Sequence, residues 1–120
     1  MAREAGARHC GLALEVTDAL VTRAIMTEAA LGPCGLAIVC ANASLSTMNR
    51  GETLILAEWH ANIAANAKAA FLANQAANRH WLADGQPGVI VNTASLADKI
   101  GARCSPIMPP ASSPSWDSPR

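Results

Sequence analysis

Tyrosine is absent from this 120-residue chain, and three tryptophans and one phenylalanine are its only aromatic residues. A core must therefore come from aliphatic side chains, and alanine, which dominates them, buries little area per residue. Neither sign of charge prevails: nine basic residues balance nine acidic ones. A neutral chain with no basic stripe argues against nucleic acid or an anionic membrane as the main partner. No apolar run approaches the ~20 residues a membrane span requires. Met1-Ala2-Arg3-Glu4-Ala5-Gly6 has no apolar signal segment, so a cytoplasmic location is the expectation. Cys10, Cys34, Cys40 and Cys104 form no C-x-x-C pair and read as buried free thiols. His9 beside Cys10 is too little for a metal site, and no metal is expected. His60 and His80 fall far apart on one helical segment and read as surface or partner-facing residues.

What is present alternates between two patterns. Gly11 to Val16 is a short apolar run bounded by glycine and by Thr17-Asp18, which predicts a strand. Thr17 or Asp18 can cap a following helix that runs to about Leu31, where Gly32-Pro33 stops it. Leu36 to Cys40 predicts a second buried strand, followed by a polar loop from Asn42 to Glu52. A long helix is predicted from about Leu56 to Ala83. Trp59, Ile63, Ala67, Ala70, Phe71, Asn74 and Trp81 fall near one stripe at steps of three and four, and its other faces are largely alanine. Asp84-Gly85 ends it and Pro87 prevents its resumption. Gly88 to Ala94 predicts the third strand. This β-α-β-α-β order implies parallel pairing with right-handed crossovers. From Arg103 onward prolines interleave with serines without period, and Cys104–Arg120 is expected to be disordered or irregular.

Four segments, in this order and spacing, resemble the middle of the short-chain dehydrogenase/reductase family. Glu15-Val16-Thr17-Asp18 is similar to the family's Asp-Val-Thr-Asp, in which the acid and its neighbour hold the cofactor's adenine ring; Glu15 replaces the shorter Asp. Ala41-Asn42-Ala43-Ser44 resembles the Asn-Asn-Ala-Gly motif that steadies the sheet and borders the cofactor, with Ser44 standing where the family has glycine. Trp59 to Leu72 resembles the helix that lines the active site and pairs subunits in many members. On it Asn66 matches the catalytic asparagine that holds a water in the proton relay. Asn92-Thr93-Ala94-Ser95 resembles the segment whose serine hydrogen-bonds the substrate oxygen. The resemblance covers about residues 3 to 102. The blander readings are a polar residue at a strand end for Glu15, one of several helix asparagines for Asn66, and an ordinary post-strand serine for Ser95.

The resemblance implies a partial doubly wound, Rossmann-like α/β domain over residues 1–102, with three strands and two main helices, and an irregular tail over residues 103–120. It implies NAD or NADP as cofactor and an alcohol or ketone as substrate. Ser95 and Asn66 would be catalytic, and Glu15, Val16, Asn42 and Ala43 cofactor-binding. Two family features have no counterpart here. The glycine-rich turn that receives the pyrophosphate would precede residue 1. The Tyr-x-x-x-Lys pair should follow Ser95 by a dozen or so residues, the lysine depressing the tyrosine's pKa from its ordinary ~10.

The tail suggests a cause. Reading from the third base of the Cys104 codon, Met108 and Pro109 force alanine, and Trp116 and Asp117 force glycine. The other codons permit Leu-Ala-Asp-Tyr-Ala-Ala-Ser-Lys-Phe-Ala-Val-Val-Gly-Leu-Thr. That string resembles the missing catalytic segment, with tyrosine arising across Ile107 and Met108. The expectation is a one-base frameshift near Arg103 and a chain inactive by itself. The alternative is a non-catalytic interaction protein that docks its long helix on an intact homologue as a dimer.

Overall fold

A computed structural model describes residues 11–32, 35–47 and 49–95. Its first helix, α1, spans Ala19–Leu31. Asp18 starts it: its Oδ1 accepts hydrogen bonds from the N–H groups of Leu20 at 2.8 Å and Val21 at 3.0 Å, satisfying donors the first helical turn leaves open. Strand β1 spans Ile38–Ala41 and strand β2 Val89–Asn92. They pair in parallel, with Val39 opposite Ile90 and Ala41 opposite Asn92. The connection between them is one long helical run: α2 over Leu56–Ile63, a π-helical turn over Ala64–Lys68, and α3 over Ala69–Asp84. Gly85, at φ 62°, ends α3. That left-handed backbone is strained for a residue with a Cβ, which is why the stop falls at glycine.

The core lies where α3 crosses β1. Val39, Ala77 and Trp81 are buried together, with Met26, Leu36, Ala73 and Ile90 packed against them. Trp81 supplies most of the volume and directs its indole N–H to the Leu36 carbonyl at 2.6 Å. Gly88 admits the ring: a Cβ there would stand 1.9 Å from Trp81 Cε2. Much apolar surface is left outside this core, including Phe71, Leu82, Leu31 and Leu56. No helix among the described residues is long and apolar enough to cross a membrane.

Three expectations need correction. Gly11–Val16 is not a strand; the described sheet has two strands, β1 and β2. An apolar run becomes a strand only when a neighbour takes its backbone groups, and this segment pairs with neither. The long helix is not one regular helix. A π turn holds more residues than an α turn, so the faces on its two sides are rotated relative to each other. The Trp59-to-Trp81 stripe therefore does not stay on one side. The buried positions are Asn62, Ala69, Ala76, Ala77 and Trp81, while Phe71 faces outward. Cys40 is a free thiol but exposed rather than buried; Cys10, Cys34 and Cys104 lie outside the described residues, as does the 103–120 tail.

Candidate functional site

The ends of β1 and β2, the loop after β1 and the π turn of the long helix converge on one cavity of about 210 Å³. Val16, Asn42, Ala43 and Asn66 all line it, together with Thr22, Met26 and Thr93. Four of the six residues picked out from the sequence are thus brought together. Glu15 is one residue outside the lining, and Ser95 is two residues beyond Thr93, on the exposed segment leaving β2.

Each wall has a local cause. Val16 is held by the turn that precedes α1, where its carbonyl accepts from the buried Thr22 hydroxyl at 3.4 Å. Glu15 Oε1 accepts from the Thr17 hydroxyl at 2.7 Å and from the Thr17 N–H at 3.0 Å. Those two bonds, the hydroxyl foremost, hold its carboxyl below the usual range. Asp18 is likewise lowered, first by the Val21 N–H and then by the Leu20 N–H. Both carboxylates are solvent-exposed and already bonded within the turn, Glu15 to the Thr17 hydroxyl and N–H and Asp18 to the Leu20 and Val21 N–H groups.

Asn66 sits inside the π turn, and its amide is largely used. Nδ2 donates to the Leu45 carbonyl at 2.8 Å and Oδ1 accepts from the Leu45 N–H at 2.8 Å. An amide has two donors and two acceptor lone pairs, so one of each remains for another partner. Two helix turns further on, Asn74 Nδ2 donates to Asn92 Oδ1 at 3.0 Å, tying α3 to the end of β2.

Residues the sequence reading passed over support this arrangement. Asn62 is fully buried, donates to the Thr47 hydroxyl at 2.6 Å and accepts from the Thr47 N–H at 3.4 Å. Glu58 accepts from Asn49 Nδ2 at 3.1 Å and from the Ile55 N–H at 3.2 Å. Their signal in the sequence is the four-residue spacing Glu58, Asn62, Asn66, which runs beside the apolar stripe. The described residues contain no group of three His, Cys, Asp or Glu able to hold a metal. His60 is exposed, and His80 lies 3.5 Å from Asp84 on the last turn of α3.

The cavity's chemistry is neutral. Its walls are small apolar side chains, hydroxyls and amides, with no charged residue among them. It is smaller than the ~300–1,000 Å³ of sites that enclose drug-sized ligands.

Residues 1–107 match the sequence profile of the short chain dehydrogenases. No curated protein matches the chain. Among solved structures, one assigned as a short-chain alcohol dehydrogenase from Sinorhizobium meliloti 1021 is 32% identical, with a TM-score of 0.77 over 86% of this chain and 40% of that one. A gluconate 5-dehydrogenase from Burkholderia cenocepacia J2315, solved with NADP and tartrate, is 25% identical with a TM-score of 0.68, over 77% of this chain and 36% of that one. A short chain dehydrogenase from Mycobacterium avium, at 23% identity and a TM-score of 0.78, shares the fold. This chain spans about two fifths of the length of these relatives. By its sequence profile and its fold, it belongs to the short-chain dehydrogenase family.

Proposed function

We propose that this chain carries part of the catalytic and cofactor-lining wall of an NAD(P)-dependent oxidoreductase acting on an alcohol or ketone, and that by itself it does not turn over. The observation that carries the reading is the convergence of Val16, Asn42, Ala43 and Asn66 on one cavity. When bound, the nicotinamide would supply the hydride chemistry. Asn42 and Ala43 would border its ring, and Glu15 with Val16 would meet the adenine. Because Glu15 Oε1 is taken by Thr17, that role falls to its other oxygen. Asn66 would hold a water at the amide positions Leu45 leaves open, and Ser95 would donate to the substrate oxygen.

The lining offers no cationic side chain to a pyrophosphate. The chain also lacks any tyrosine to exchange the proton. Titration with NAD and NADP is expected to give no saturable binding, and an alcohol panel no turnover. Cofactor-dependent turnover abolished by Ser95→Ala would overturn the inactivity. The frameshift near Arg103 belongs to the same proposal, and the family match ends inside the proline-serine tail, at residue 107. Gene codons at Ile107 or Ala111 unable to supply Tyr and Lys in the shifted frame would remove it.

A second reading is favoured by the exposed apolar residues of the long helix, Leu56, Ile63, Phe71 and Leu82. A surface of this kind marks an interaction site. In that reading the helix docks on the equivalent helix of an intact homologue. Co-expression with a full-length relative, followed by purification through a tag on this chain, distinguishes the two: a mixed dimer that Phe71→Glu disrupts supports docking.

A further inference from the structure

Three side chains on one helix face grip three alternate residues of the loop that follows β1. Asn66 exchanges two hydrogen bonds with Leu45, Asn62 bonds both the N–H and the hydroxyl of Thr47, and Glu58 takes the amide of Asn49. The helix positions step back by four as the loop steps forward by two. Four helical residues rise about 6 Å, and two extended residues cover about 6.6 Å. The two spacings match: Leu45, Thr47 and Asn49 follow the helix in the antiparallel sense, with side-chain groups standing in for a neighbouring strand. The Asn66 rung reproduces the reciprocal N–H and C=O exchange of a strand pair.

Asn62 is the central rung and is fully buried. Its amide orientation is set by its partners, since Nδ2 also donates to the Glu58 carbonyl at 2.7 Å while Oδ1 faces the Thr47 N–H. A buried amide satisfied in only one loop register penalises every other register by leaving its polar atoms unpaired. The segment it fixes begins two residues after Ala43, on the cavity wall. We infer that Asn62 is a positioning residue: through Thr47 it sets the register of Leu45 and Thr47 on the helix, and so holds Asn42 and Ala43 at the cavity and keeps Leu45 on Asn66. Its purpose rests on the proposed function, but the register does not.

The test is amide hydrogen exchange by nuclear magnetic resonance on the full 120-residue chain, with no cofactor or turnover required. A failed clamp is thereby distinguished from a failed family activity. Thr47→Val removes the hydroxyl partner without touching the helix. It is expected to speed exchange at Leu45, whose own partner Asn66 is intact, on the order of tenfold, while Ala77 and Val91 keep their rates. Asn62→Ala is expected to act in the same direction and further, and Thr47→Ser to restore the parent rate. Leu45 exchange unchanged in Thr47→Val would overturn the inference. So would a Thr47→Val effect equal at Leu45, Ala77 and Val91, or an unprotected Leu45 in the parent.

Discussion

Gly88→Ala puts the packing of α3 against the sheet to its most direct test. The new Cβ would lie 1.9, 2.2 and 2.3 Å from three atoms of the Trp81 ring, whereas ordinary contact begins near 3.4 Å. One partner must therefore move by more than an ångström. The ring cannot swing freely, because its N–H is bound to the Leu36 carbonyl and it is buried in one cluster with Val39 and Ala77. Overpacking of this kind costs about 1–3 kcal/mol, and the rigid obstruction places it at the upper end. Trp81→Leu alone loses ring burial and the indole bond, a cost of about 2 kcal/mol or more. It also vacates the space the Cβ needs. The double variant is thus expected to be about as stable as Trp81→Leu, a coupling of at least about 1 kcal/mol between the two sites. Urea unfolding followed by circular dichroism at 222 nm measures all four corners, with sucrose added to raise a low midpoint. Strict additivity, or a Gly88→Ala midpoint equal to the parent's, would refute the packing described here.

The parent chain itself is expected to unfold at low urea with a shallow slope, because its described core holds one tryptophan, one valine and alanines; a steep transition at high urea would contradict this. Asn66→Ala should remove both bonds to Leu45, at about 0.5–1.5 kcal/mol each, and in the same urea assay lower the midpoint without reducing helicity. Asp18→Ala should shorten α1 at its start, which circular dichroism reads as lost ellipticity at 222 nm. The folded pKa values of Glu15 and Asp18 lie below their unfolded ones. Their stabilisation is complete above the ordinary carboxylate range near pH 4 and is lost as pH falls through the depressed folded values. An acid titration of the Asp18→Ala/Glu15→Gln pair should therefore be flatter than the parent's below pH 4.

The elements readable in advance were those specified by local chemistry. The cap at Asp18, the stop at Gly85 and the apolar runs that became β1 and β2 depend on neighbouring residues alone. Gly11–Val16 carried the same kind of apolar run, yet a strand needs a partner, and composition cannot supply one. The π turn leaves no trace in a stripe read at regular helical steps, so Phe71 falls on that stripe although it is exposed and Ala69, Ala76 and Ala77 are buried. In the cavity, Val16, Asn42, Ala43 and Asn66 came from motif resemblance. Asn62 and Thr47 belong to no motif and are 15 positions apart, so only the fold could join them.

The five residues Ala64–Lys68 have a role beyond shaping a cavity wall. Upstream of them the helix is indexed to a loop through Glu58 and Asn62, with Asn66 of the turn itself adding a third contact; downstream it is indexed to the sheet through Ala77 and Trp81. A regular α-helix advances its face by 100° per residue, so these two sets of contacts would demand different rotations of one rigid rod. The wide turn is the joint that lets both be met. Asn66 apart, length rather than residue identity is therefore what this stretch protects. Deleting one alanine here would yield a more regular helix and a less consistent protein, in which either the loop or the sheet keeps its partners but not both.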